Sequence, residues 1–305
     1  MEANSQFVAS DLCLPTRSAG PDGLWVHAPA KVNLNLLVGP PRGDGFHPLD
    51  SYVAKISFYD RLKLRARSDG KIRLNCTGLD CGPSVDNLAS RAAELLRASA
   101  GLAGVGADIL LEKYIPPGGG LGGGSSDAAA VLTGLNELWN AGQTAGELAG
   151  LAAELGSDVP LFLAGAASRM TGRGEIIEPV EVWPFWLVLI LPPLACPTGE
   201  VYRQFDAANR SEPLEQLAPA LLAEPVSHWR PLLVNDLAKP AMRLVPELAK
   251  IHDTLAVATD LPVHVSGSGS SLMLLCDDQA QCSQAMDKIP SEIQPLCQVA
   301  RLNQW

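Results

Sequence analysis

An α+β fold in two domains is the architecture this sequence predicts. Length is the first observation, because 305 residues exceed the roughly 100–200 that one domain usually takes. Element order is the second. Alternating strands come first, helices follow from about residue 87, and a strand–helix–strand–strand–helix–strand series closes the chain. Composition is the third: 47% hydrophobic and 18% charged residues suit a packed core rather than a disordered chain.

Residues 1–23 read as a loose leader. Residues 25–38 alternate, with Val32, Leu34 and Leu36 on one face and Lys31, Asn33 and Asn35 on the other. That pattern makes a strand with one buried and one polar face. After a Gly/Pro-rich connection at 39–45, residues 50–58, 61–66 and 71–76 read as antiparallel strands split by short turns such as Ser68-Asp69-Gly70. Residues 87–100 carry Leu88, Ala92, Leu95 and Leu96 on one stripe and read as a helix with Asp86 as its cap. A strand at 107–113 precedes the densest segment of the chain, 116–129. This segment runs into a helix whose Ala128, Val131, Leu132, Leu135, Leu138 and Trp139 share a face. A further helix at 145–155 stops at Gly156.

The second half begins near Val180. It reads as a buried strand at 186–191, a short helix at 200–205 and a Pro-rich surface insertion at 212–231. A helix at 244–257, strands at 263–266 and 272–276 around a Gly/Ser turn, a helix at 279–288 and a last strand at 299–302 complete it.

Charge narrows the function. The 23 Lys and Arg against 33 Asp and Glu leave a net charge of −10, which argues against a general binder of nucleic acid or anionic membrane. A small anionic ligand stays possible, since a few local donors suffice for it. The most apolar run, 183–191, contains Pro184 and is far short of the about 20 residues a membrane-spanning helix needs. The leader carries Glu2, Asp11, Arg17 and Asp22 and no apolar core, unlike a secretory signal. Seven cysteines without a Cys-x-x-Cys motif read as free thiols of a reducing compartment, so a cytoplasmic protein is expected.

The chemistry concentrates in Pro116-Pro117-Gly118-Gly119-Gly120-Leu121-Gly122-Gly123-Gly124-Ser125-Ser126. Six glycines in seven residues cost backbone entropy, and the usual return is close approach of main-chain N–H groups to a ligand. The loop empties into a helix, whose N-terminus favours phosphate. Ser125 and Ser126 could cap that helix or touch phosphate. No Gly-Lys-Ser/Thr follows, so the loop is not of the Walker A type. Gly118-x-Gly120-x-x-Gly123 matches the dinucleotide fingerprint only formally, because no ribose-binding acid stands about 20 residues later. Other residues are ambiguous one by one. Asp158 suits the N-cap of a short helix opened by Pro160, Lys31 a solvated strand face, and His47 and the run 266–271 ordinary turns.

Taken together, these residues resemble the GHMP kinase superfamily of small-molecule kinases. The resemblance rests on Pro29-Ala30-Lys31-Val32-Asn33-Leu34, Asp44-Gly45-Phe46-His47, Asp86-Asn87-Leu88, and the loop from Gly118 to Ala129. It continues through Leu155-Gly156-Ser157-Asp158-Val159-Pro160, Thr171-Gly172-Arg173-Gly174-Glu175, Pro197-Thr198-Gly199-Glu200-Val201-Tyr202, Asn235-Asp236-Leu237 and the run from Ser266 to Ser271. It spans about residues 25–302. The Gly-Phe-His and Leu-Gly-Ser-Asp-Val-Pro segments are most similar to the branch that phosphorylates the 2-hydroxyl of a cytidine-diphosphate-linked branched tetritol, in the non-mevalonate route to isoprenoid precursors.

The resemblance implies an N-terminal domain like ribosomal protein S5 domain 2 over 24–178, a ferredoxin-like domain over 179–305, and an active site between them. It implies ATP, with Mg²⁺ held mainly through ATP and water and no protein metal site. Asp158 would be the general base and Lys31 the cation that holds it ionised. Asn33, Phe46, His47 and Thr198 would bind substrate, with Phe46 stacking on the cytosine and His47 reading its edge. Asn87, Lys113, Pro117, Gly118, Gly119, Gly120, Leu121, Gly122, Gly123, Gly124, Ser125 and Ser126 would bind ATP, and Gly267, Ser268 and Gly269 would close the site from the second domain. Two alternatives stay open at this point. Another small-molecule kinase of the superfamily would have no use for Phe46-His47 as a cytosine reader. A catalytically silent ATP-binding regulator could lose Lys31 or Asp158 without cost.

Overall fold

The computed structural model describes residues 17–20, 22–43, 45–206 and 216–303. Cys13, Asp44 and the larger part of the leader lie outside the described residues. Two sheets organise the rest. The first holds β1 (Arg17–Gly20), β2 (Gly23–Val38), β3 (Leu49–Arg67), β4 (Ile72–Gly78), β5 (Gly106–Lys113), β6 (Ala167–Gly172) and β7 (Ile176–Pro179). Its order is β1-β2-β3-β5-β4, with β6 pairing with β3 and with β7. Arg17–Gly20, within the expected leader, thus pairs antiparallel with the start of β2.

β3 departs from the expected pattern. The strands read at 50–58 and 61–66 are one strand of 19 residues. Its first half pairs with β6 and its last with β5, while β2 runs along the other side. The polar break that suggested a turn is Asp60, which is fully buried and accepts hydrogen bonds from the main-chain N–H of Tyr114 at 2.6 Å and Ile115 at 2.8 Å. A register shift opposite Pro29 and Ala30 absorbs the extra residues. β4, expected antiparallel, pairs parallel with β5. A crossover helix makes this possible: α1 (Leu88–Ser99) lies between them in the chain. Its cap is Asn87 rather than Asp86, with Asn87 Oδ1 accepting from Ala89 N at 2.9 Å.

α2 (Gly123–Leu138) and α3 (Ala145–Leu155) join α1 in a layer on one face of this sheet. A Cβ at Gly134 of α2 would strike Leu64 on β3, so glycine lets the helix lie close against the strands. α3 ends at Gly156 as expected, and a 3₁₀ turn, Pro160–Leu163, follows.

The second sheet has the order β11-β8-β10-β9, built from β8 (Trp186–Ile190), β9 (Val263–Val265), β10 (Leu272–Cys276) and β11 (Cys297–Arg301). All three pairings are antiparallel, which is the ferredoxin-like arrangement. Around it lie α4 (Thr198–Asp206), α5 (Pro219–Leu222), α6 (Val226–Trp229), α7 (Ala238–Leu244), α8 (Pro246–Thr259) and α9 (Gln279–Lys288). The helix expected at 244–257 is α8, which begins at Pro246 rather than Leu244; Leu244 ends the separate helix α7, since the residue preceding a proline avoids helical backbone.

The insertion expected on the surface does not stay there. Residues 207–215 lie outside the described residues. Leu222, Val226 and Trp229 are fully buried and join a core shared by Val32, Leu34 and Tyr52 of the first sheet and Leu187, Met273 and Leu275 of the second. The expectation of free thiols also needs one correction. Cys76 and Cys81 form a disulfide, because the chain turns at Gly78 (φ +85°) and brings their Cα atoms to 6.8 Å. Cys196, Cys276, Cys282 and Cys297 are free and buried. No helix among the described residues is long and apolar enough to cross a membrane.

Candidate active site

The polar face of β2 begins the site. Lys31 is 7% exposed, and its Nζ donates to Asn33 Oδ1 at 2.5 Å. Asn33 Nδ2 in turn donates to Ser51 Oγ on β3 at 2.8 Å, and Ser51 passes a bond of 2.6 Å to the Asn35 carbonyl. Burial lowers the pKa of the Lys31 ammonium, and the Asp158 carboxylate works against that shift.

The glycine loop lies across this strand, with Lys31 N donating to Leu121 O at 2.9 Å. Gly118, Gly120 and Gly122 take left-handed φ values of +74°, +75° and +69°, conformations that glycine adopts without strain. Packing adds to the requirement at three places. A Cβ at Gly120 would overlap the Ser266 carbonyl, one at Gly122 would lie 2.8 Å from the Phe162 ring, and one at Gly123 would lie 2.9 Å from Ile115 and from Lys113 Nζ. Gly119 is buried under Ser271 Oγ, and Leu121 anchors the loop in the shared core. Pro117, Gly118 and Gly124 stand on the exposed rim.

Helix α2 starts at Gly123 with Gly122 as its cap and no side-chain cap bond, so Ser125 and Ser126 sit in its first turn rather than capping it. The first intrahelical bond runs from Ser126 N to Gly122 O at 2.9 Å. The N–H groups before it have no intrahelical partner. Ser126 Oγ is buried without a hydrogen-bond partner among the described residues. Free main-chain donors, a helix dipole, an unpartnered hydroxyl and open space at Gly124 fit a phosphate chain.

The Gly/Ser run of the second sheet closes from above. Ser271 N donates to Gly119 O at 3.3 Å, and Ser266 Oγ donates to Gly120 O at 3.2 Å. Gly267 (φ +57°) turns the run beside Lys31 and Asn33, Ser268 Oγ meets Thr198 Oγ1 at 3.0 Å, and Gly269 (φ +82°) packs against Cys196 and Leu248.

A cavity of about 190 Å³ remains, lined by Lys31, Asn33, Gly120, Gly122, Asp158, Thr198, Gly267 and Ser268 among others. Asp158 does not cap the next turn. Val159 occupies the cap position of Pro160–Leu163, which leaves the Asp158 carboxylate to the cavity. The combination places a cation and a carboxylate from remote parts of the chain beside a main-chain anion cradle.

Four expected site residues do not line this cavity. Asn87 spends its side chain on the α1 cap and on Cys81 O at 3.2 Å. Lys113 is 3% exposed and pairs with Asp60 and, at 2.7 Å, with Asp127, so its ammonium supports the glycine loop from below rather than reaching a nucleoside. Phe46 is 55% exposed with the Arg173 guanidinium 5.0 Å from its ring centre. His47 meets Gly39 O at 2.8 Å through Nδ1 and Asp206 at 3.3 Å through Nε2, and its ring packs 5.2 Å from that of Tyr202, which does line the cavity.

Sequence reasoning missed Ser51, Tyr202 and Asn235 as parts of the site. Burial raises the pKa of the Tyr202 hydroxyl, and the Asp158 charge adds to the shift. Asn235 donates to Val265 O at 2.7 Å and Gly267 O at 2.8 Å, and it holds the Gly/Ser run beside β2. Its presence in an Asn-Asp-Leu segment was the available signal. Ser51 offered none.

Similarity to known proteins agrees with this geometry. Residues 87–166 match the family of GHMP kinases N terminal domains, and residues 215–293 match GHMP kinases C terminal. The chain belongs to the GHMP kinase family. Among GHMP kinases it is 38% identical over 303 residues to the 4-diphosphocytidyl-2-C-methyl-D-erythritol kinase of Prochlorococcus marinus, covering 92% of this chain and 91% of that one. It is 40% identical over 254 residues to the enzyme of the same name from Pelotomaculum thermopropionicum, covering 82% and 88%. A crystal structure of 4-(cytidine 5'-diphospho)-2C-methyl-D-erythritol kinase superposes with a TM-score of 0.77 at 36% identity, covering 92% of this chain and 100% of that one.

Proposed function

We propose that this GHMP kinase transfers the γ-phosphoryl group of ATP to the 2-hydroxyl of 4-diphosphocytidyl-2-C-methyl-D-erythritol, a step of the non-mevalonate route to isoprenoid precursors. The observation that carries the reading is that Lys31 and Asp158 face one cavity at the edge of the glycine loop. Relatives of that name, matched over about nine-tenths of the chain, support the substrate.

Phosphoryl transfer depends on alignment and on neutralising charge. Asp158 would take the proton of the attacking hydroxyl. The new oxygen–phosphorus bond forms as the bond to the β-phosphate oxygen breaks, and ADP carries away the leaving pair. Lys31 would offset charge on the transferred group. Asn33, locked between Lys31 and Ser51, would orient the alcohol. Thr198 would reach the substrate from the second sheet.

Glycines 118–120 and 122–124, with Pro117, Leu121, Ser125 and Ser126, would seat the triphosphate, and Gly267, Ser268 and Gly269 would cover it. Bound Mg²⁺ would neutralise phosphate charge, held through ATP and water. Phe46 would give the cytosine a stacking face and His47 would read its edge, beside Tyr202. Asn87 and Lys113 would act at one remove, by fixing the start of α1 and the floor of the loop. The same reading assigns 24–178 to the nucleotide half and 179–305 to the half that closes on it.

An ADP-release assay tests this with the cytidylyl alcohol, mevalonate and homoserine offered separately. Turnover is expected with the first alone. Asp158→Ala should lower kcat by about 10²–10⁴ and leave ATP binding nearly intact, since the glycine loop is untouched. Preference for mevalonate or homoserine, or full turnover by Asp158→Ala, would refute the reading.

A further inference from the structure

Lys55 on β3 lies directly across from Lys31 on β2. It is 1% exposed, and a buried ammonium is costly unless its donors are met. Its Nζ donates to the Ala164 carbonyl at 2.5 Å and to the Phe162 carbonyl at 3.3 Å. These carbonyls stand at the exit of the Pro160–Leu163 turn, the end of a helical element that carries partial negative charge. The main chain of Lys55 is engaged as well. Its N–H donates to Ala166 O at 2.8 Å, and its carbonyl accepts from Asn303 N at 2.9 Å. Lys55 therefore fastens residues 162–166 to the sheet through side chain and backbone together.

The segment it fastens carries one part of the site and closes the short turn that follows another. Asp158 precedes the turn, and the Phe162 ring supports the glycine loop at Gly122. Val159, Leu161 and Leu163 are buried in the helix layer, where apolar packing is non-directional. The two bonds from Lys55 supply direction. We propose that Lys55 is a positioning residue for phosphoryl transfer: by gripping the Phe162 and Ala164 carbonyls it holds the Asp158 carboxylate toward Lys31. The proposal rests on Asp158 being the general base.

The test compares the native chain with Lys55→Gln, which keeps a donor without the charge, and Lys55→Met, which keeps only the bulk. Thermal melts by circular dichroism establish that each variant folds. Steady-state kinetics with ATP and the cytidylyl alcohol then separate kcat from KM. Misplacing a catalytic group costs rate more than binding. The expected result is a kcat about tenfold or more lower in folded Lys55→Met, a smaller loss in Lys55→Gln, and KM values within about threefold for both substrates. A lysine with a purely structural role would lower the melting temperature and leave kcat of the folded variant within about twofold, and that result overturns the proposal. Failure of both variants to fold overturns it too, because Lys55 would then be a strut of the core. Absence of turnover by the native chain would instead strike the proposed function, and this proposal with it.

Discussion

At the residue scale, the buried group of Lys113, Asp60 and Asp127 shows how a side chain's role depends on partners far away in sequence. One ammonium faces two carboxylates, all within 3% exposure. Asp60 also accepts two main-chain N–H bonds. Asp127 accepts from Lys113 through Oδ2, and its buried Oδ1 has no hydrogen-bond partner among the described residues. Burial raises its pKa to about 8, Lys113 opposes the shift, and the Asp60 charge adds to it. The folded chain thus holds a proton there at pH values where the unfolded chain has released it. Stability from this group is full below the ordinary carboxylate range and is lost as pH rises through the raised folded value. Asp127→Asn removes the titration and keeps an acceptor for Lys113. Urea unfolding at about pH 5 and about pH 8 should show a smaller fall in stability for the variant than for the native chain. A native chain that gained stability relative to the variant over that range would contradict this account. Lys113 looked like a nucleoside ligand in the sequence because nothing near it marks residues 60 and 127 as its partners. Lys31 and Asp158 were legible for the opposite reason. Each is uninformative alone, but each sits in a segment whose neighbours match a known pattern.

At the scale of elements, the loop and α2 separate glycines the fold needs from those it does not. Gly120, Gly122 and Gly123 would clash with protein atoms if given a Cβ. Gly124 would not, as its nearest neighbour is Leu88 Cδ1 at 3.9 Å, and its φ lies outside the left-handed region. Glycine in a helix is otherwise unfavourable by roughly 0.5–1 kcal/mol relative to alanine. On the proposed reading, space for the triphosphate would account for its presence. Gly124→Ala should leave the folded chain as stable or more stable, by up to about 1 kcal/mol, and should raise the KM for ATP. Denaturant midpoints and ATP titrations check the two halves of that expectation, and unchanged ATP affinity would remove Gly124 from the phosphate seat. The loop was legible because glycine density is local information. Elements with local periodicity were legible too: the helices at 145–155 and 279–288 and the strand at 272–276 fall at the expected bounds. The continuity of β3 was hidden, since a polar residue inside a strand looks like a turn until its buried partners are known. The parallel pairing of β4 was hidden because alternation marks a strand without its direction.

For the whole molecule, the decisive feature is that the two sheets share a core. Val32, Leu34, Tyr52 and Ile56 of the first meet Leu187, Leu189, Met273 and Leu275 of the second, with Phe185 and Trp229 between them. The Trp229 ring stands edge-on to Phe185 at 6.0 Å, and its Nε1 donates to Glu224 O at 2.9 Å. The prolines at 213, 219, 225 and 231 made the segment around Trp229 look like a surface excursion, because its large apolar residues lack a period. Its Leu222, Val226 and Trp229 are buried in the core that the inner faces of the two sheets share. A site built between two bodies needs them held at a fixed separation, and this core does so directly behind β2, the strand that carries Lys31. Replacing Trp229 with alanine should therefore destabilise the whole chain rather than one half. The expected cost is about 3–5 kcal/mol, as for large aromatic truncations in a core. Calorimetry of the native chain and of Trp229→Ala should each give a single transition, with the variant's at lower temperature, because exposing one inner face exposes the other. Two resolved transitions, with only one moved by the substitution, would mean that the sheets unfold independently and that the shared core does not set their spacing.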